Sequence, residues 1–122
     1  MHKLIAVLTI AFLTVSLVAC SPVEAKARDT AAALGGSITA AQAKYKDSCT
    51  ANPAQSVCQL INKGVSGENA LITAIETYCG WSTASPPADM SAKCVPVKSA
   101  EAALTAAVAN AAQLTLEIKG AI

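Results

Sequence analysis

From Leu4 to Ala19 the chain carries no charge, and only Thr9, Thr14 and Ser16 interrupt its apolar character. Such a run does not belong to the surface of a soluble domain, so whatever folds must be built from the residues after it. His2 and Lys3 supply a short positive start, which completes the profile of an export leader. A permanent span is the alternative. The run is, however, shorter than the roughly 20 apolar residues a helix needs to cross a hydrocarbon core of ~30 Å.

The run ends in Leu17-Val18-Ala19-Cys20: an aliphatic residue, a β-branched one, a small one and a cysteine. This resembles the lipobox of bacterial lipoproteins, over the leader and Cys20 only. The resemblance implies diacylglycerol transfer to the Cys20 thiol, cleavage before Cys20 and acylation of the new amino terminus. Acyl chains at ~0.8 kcal/mol per buried methylene hold a protein to a bilayer stably when there are several of them. Ser21 resembles the sorting pattern of Gram-negative outer-membrane lipoproteins, so the outer membrane is the expected address. Val23-Glu24-Ala25 resembles an ordinary signal-peptidase site, and cleavage there would instead release a soluble periplasmic or secreted protein beginning at Lys26.

Loss of the leader removes Lys3, so the nine basic residues become eight against eight acidic ones. A neutral domain has no electrostatic footprint for nucleic acid. Lys44 and Lys46, with Asp47 beside them, read as a solvated helix face.

Five cysteines are an odd number for an exported protein, until Cys20 is given to lipid. Cys49, Cys58, Cys79 and Cys94 remain, an even set suited to two disulfides in an oxidising compartment. Structural zinc sites use close pairs such as C-x2-C, which these cysteines do not form, and His2 leaves with the leader. No metal or cofactor is therefore expected. Three connectivities are open. A sharp reversal at Asn52-Pro53 would bring Cys49 to Cys58, and Cys79 at a helix end faces Cys94 in the following loop, so these two pairings are preferred.

Along the mature chain, residues 20–36 read as lipid anchor and tether, with a break at Gly35-Gly36, since each helix-interior glycine costs ~1 kcal/mol relative to alanine. Residues 37–122 read as the disulfide-bonded domain. Ser37 is placed to cap a helix with Ile38, Ala41, Tyr45 and Cys49 on one stripe. Asn52-Pro53 is read as N-cap and first residue of a second helix, with Val57, Cys58, Leu60 and Ile61 inward and Gly64 as its stop. Ser66 is read as the start of a third helix with Leu71, Ile72, Ile75, Tyr78 and Cys79 as its apolar side. Gly80 ends it, and Trp81 folds back as the contact of a Schellman-type cap. Ser99 is placed to cap a last helix with Leu104, Val108, Ala111, Leu114 and Ile118 as its stripe and Gly120 as its stop. The expected fold is all-α: a small up-and-down bundle of three to four helices stapled by two disulfides, preceded by a signal-peptide helix over 1–19.

The mature chain has no histidine, which removes Ser-His-Asp and Cys-His catalysis, and it has no phosphate-binding glycine loop. Asp47, Glu68, Glu76 and Asp89 could form a carboxylate pair only if two of them met in a pocket. Tyr45 and Tyr78 fall on inward stripes, and Trp81 is either a cap contact or an exposed partner anchor. These features describe a non-enzymatic, membrane-anchored module that contacts another envelope protein, as an inhibitor, an exclusion or immunity factor, or an assembly accessory. Its contact surface is expected away from the tether, with Trp81 and Asp89 in the Pro-bearing loop to Cys94 as partner-binding candidates. The alternatives are a small envelope hydrolase using carboxylates and a structural tether that self-associates through the alanine-rich last helix.

Overall fold

Ala27, Leu34, Ile38 and Ala41 follow one another at helical spacing, and all four are buried on a single helix, α1 (Pro22–Ala51). The computed structural model describes residues 22–81 and 94–122; the leader, Cys20 and Asp89 lie outside them. The expected break at Gly35-Gly36 does not occur. Burying Leu34 and Ile38 on either side is worth ~1.5–3 kcal/mol each, which outweighs ~1 kcal/mol for each glycine. Residues 22–36 are thus no tether but the first half of a core helix. Ser37, expected as a cap, sits buried in mid-helix and donates its hydroxyl to the Ala33 carbonyl at 3.0 Å.

The reversal falls where Asn52-Pro53 places it, but as a turn rather than a helix start. Asn52 Oδ1 accepts the Ala54 amide at 3.3 Å, a short polar side chain closing its own turn. Helix α2 (Ser56–Tyr78) follows, with Gln55 in the capping position and no side-chain cap. The second and third helices expected from sequence are one helix. Gly64 and Gly67 do not interrupt it, because they are its points of closest approach. A Cβ on Gly64 would stand 2.6 Å from Ile118 Cδ1, and one on Gly67 2.3 Å from Leu114 Cδ1. Ser66 accordingly lies inside the helix and starts nothing.

A 3₁₀ turn (Lys98–Ala100) leads into α3 (Glu101–Ala121). Ser99 lies in that turn, Ala100 occupies the capping position without a side-chain bond, and the helix runs past Gly120. Leu104, Val108, Ala111, Leu114 and Ile118 are all buried, as their spacing requires. The three helices make an up-down-up bundle in which α1 and α3 run the same way against α2, and each packs on the other two. Its core joins Leu34, Ile38, Ile61, Leu71, Ile75, Leu104, Leu114 and Ile118. Among the described residues there is no strand, and no helix is long and apolar enough to cross a membrane.

Candidate functional site

Both disulfides have the pairing preferred from sequence. Cys49 is bonded to Cys58 across the α1–α2 turn, with Cα atoms 5.6 Å apart. Cys79 is bonded to Cys94 just past α2, with Cα atoms 4.5 Å apart. The two bridges close opposite ends of the bundle.

The Cys79–Cys94 end is where α1 begins. Helix α2 ends in the Schellman pattern: the Gly80 amide donates to the Thr77 carbonyl at 3.2 Å and the Trp81 amide to the Glu76 carbonyl at 2.9 Å, with Gly80 at φ +72°. Trp81 folds back, half-buried against the core, and the Arg28 guanidinium lies 5.7 Å from its ring centroid. Arg28 also pairs with Glu24 at 2.8 Å. The Glu24 carboxylate and the sulfurs of Cys79 and Cys94 lie within 4.8 Å of one another, but both sulfurs are held in the disulfide, so this trio is not a metal-ligand set. Beyond Cys94 the backbone is bound in turn. The Val95 amide donates to the Cys79 carbonyl at 3.2 Å and the Val97 amide to the Tyr78 carbonyl at 2.7 Å. Their side chains face out, Val95 64% and Val97 37% exposed.

The Cys49–Cys58 end closes differently. Tyr45 donates its hydroxyl to the Ala121 carbonyl and Lys44 its ammonium to the Ile122 carbonyl, so α1 satisfies the last acceptors of α3.

Between the ends, a groove of about 390 Å³ separates α1 from α2, lined by Arg28, Ala31, Ala32, Gly35, Gly36, Glu68, Ile72 and Ile75. Glu68 Oε2 is buried there with no hydrogen-bond partner, and burial pushes the Glu68 carboxyl above the usual carboxylate range. Glu68 lies in the middle of α2 and not in the first turn that a helix start at Ser66 would give it. The other candidate acids do not join it: Asp47 is exposed, Asp89 lies outside the described residues, and Glu76 is two turns further along α2, about 12 Å at ~1.5 Å per residue.

A second groove, also about 390 Å³, lies between α1 and α3 and is lined by Lys26, Asp29, Thr30, Ala33, Ala112, Thr115 and Leu116. Leu116 is 68% exposed, the most open of the large apolar side chains described.

Trp81 and Arg28 stand near the start of α1, with Glu24 on the same end, so Trp81 does not lie on a surface away from residues 20–36, where the sequence places anchor and tether. Comparison with known proteins gives no match among family models, curated proteins or solved structures.

Proposed function

We propose that the chain is an exported lipoprotein, held to a bacterial envelope membrane through Cys20, whose helical domain acts by contact and not by bond-making. One observation carries the reading: Cys49, Cys58, Cys79 and Cys94 are consumed in two disulfides, leaving Cys20 as the single cysteine outside them, at the position the lipobox assigns to lipid. Intact mass of the mature protein and fatty-acid labelling test it. The expected outcome is an acylated amino terminus at Cys20; a mature protein beginning at Lys26, or labelling unchanged in Cys20→Ala, overturns it.

The contact surface we assign to the flank of the bundle, on the α1–α3 groove at Leu116. An apolar side chain this open beside Ala33 and Ala112 offers a helical partner a shallow seat. Leu116→Lys should abolish capture of an envelope partner while leaving helicity intact; unchanged capture by the variant removes this face. The same observation favours self-association through α3 as the second reading. A concentration-dependent dimer in light scattering, lost in Leu116→Lys, would select it.

A further inference from the structure

We propose that the end of the bundle nearest Cys20 is a bilayer-docking surface, with Trp81, Val95 and Val97 seated at the headgroup boundary of the membrane. The inference rests on the reading of Cys20 as the lipid anchor and adds what the folded domain does once anchored.

Helix α1 starts at Pro22, and at ~3.5 Å per residue even a fully extended chain keeps the Cys20 Cα within about 7 Å of the Pro22 Cα. So short a connection leaves no spacer between the acyl chains and the domain. The surface around the start of α1 is the surface the bilayer meets.

That surface carries the chemistry an interface takes. Trp81 is tied to it through Arg28, and a ring that is apolar in body and polar at its indole nitrogen favours the headgroup level. Val95 and Val97 expose their side chains on the segment bonded to the last carbonyls of α2. The disulfide at Cys94 and those two backbone bonds already hold them, so docking requires little further ordering. The opposite end of the bundle instead presents Lys44 and Tyr45, both engaged with α3 carbonyls.

Charge is balanced here. Lys26, Arg28 and Lys98 stand with Glu24, Asp29 and Glu101 around the described part of this end, so apolar contact and not attraction to anionic lipid drives the docking. It should therefore persist on zwitterionic vesicles and at high salt.

Trp81 is the only tryptophan of the chain, which makes it its own reporter. The mature acylated protein is reconstituted on phosphatidylcholine vesicles, with or without lipids brominated high on the acyl chain, and Trp81 emission is recorded. Docking predicts that brominated lipid removes roughly half of the emission or more, as for a ring at the interface. Combined Val95→Asp and Val97→Asp should restore most of it, with flotation and helicity unchanged. An acylated protein that floats with the vesicles while its emission ignores brominated lipid overturns the docking and leaves the lipoprotein reading standing. A protein without acyl chains that fails to float overturns both.

Discussion

The two ends of this bundle are closed by the same kind of bond and by opposite kinds of surface. At the Cys49–Cys58 end the turn is short, and the last carbonyls of α3 are met by a hydroxyl and an ammonium from α1. At the Cys79–Cys94 end a longer connection is pinned, its far side is bonded to α2 carbonyls, and Val95 and Val97 are left open. At the first end the polar groups meet within the bundle; at the second, exposed valines remain, and this is the end we propose for docking to the bilayer.

The largest effect should come from removing the bridges, and its size should differ little between ends while its consequences differ much. In the chain-entropy model a span of 15 residues is worth about 3 kcal/mol and one of 9 about 2.5 kcal/mol. Cys79→Ala with Cys94→Ala should therefore lower the melting temperature by ten degrees or more, at ~4–8 °C per kcal/mol for a domain of this size. Cys49→Ala with Cys58→Ala should come close behind. Hydrogen exchange separates them: only the first pair should release the Val95 and Val97 amides. If those amides stay protected, the two backbone bonds hold this end without the bridge.

Next in size is the middle of the bundle, where glycines that look alike in sequence should respond with opposite signs. Gly67→Ala drives a Cβ to within 2.3 Å of Leu114 Cδ1 and should cost about 1–3 kcal/mol as overpacking. Gly36→Ala meets nothing within 4 Å on an exposed position of α1 and should stabilise by ~0.5–1 kcal/mol. Chemical denaturation of both variants is sufficient. A loss in Gly36→Ala would mean that α1 needs its flexibility there.

The same glycines mark where the sequence was legible and where it was not. Stripes at intervals of three and four predict five of the six buried positions of α3, because alanine and leucine leave few other ways to hide apolar surface; they miss Thr115, whose hydroxyl donates to the Ala111 carbonyl. The disulfide pairs were legible because a turn and a helix end brought the partners together. Gly35-Gly36 and Gly64, by contrast, were read as breaks, since local propensity is all that one strand of sequence reveals about a glycine. What decides them is tertiary: Ile118 and Ile38 lie against Gly64, and Leu34 with Ile38 carries α1 across its glycine pair. The caps expected at Ser37 and Ser99 failed for the same reason, because packing moved the helix boundaries. The Glu68 groove was illegible for a further reason. It exists only between α1 and α2, and a sequence that splits α2 at Gly64 gives Glu68 to a helix terminus.

A smaller effect should sharpen the account of the polar end. Tyr45→Phe removes one side-chain bond to the Ala121 carbonyl and keeps the packing of the ring, so it should cost ~0.5–1.5 kcal/mol. The loss should appear as faster amide exchange in the last turn of α3, with the Cys79–Cys94 end unaffected. Fraying that spread to Val97 would show that the ends are coupled and the comparison between them false.

The smallest effect tests whether the groove between the ends is a hydrated surface or part of the interior. Burial raises the Glu68 pKa above its ordinary value of 4.5, so at pH values between the two the folded state holds a proton that the unfolded state has released. Stability contributed by the protonated acid is then fully present below pH 4.5 and declines as pH rises through the folded value. Because Glu68 is only partly covered, the decline should be modest and is best read as a slope in the denaturant midpoint. Glu68→Gln is close in shape to the protonated acid and does not titrate. Its midpoint should match that of the parent chain at the acid end and exceed it at neutral pH, with the difference opening above the ordinary carboxylate range. Parallel pH profiles for the two proteins would mean that water solvates Oε2 through the groove, and the carboxyl would then belong with the exposed acids of the bundle.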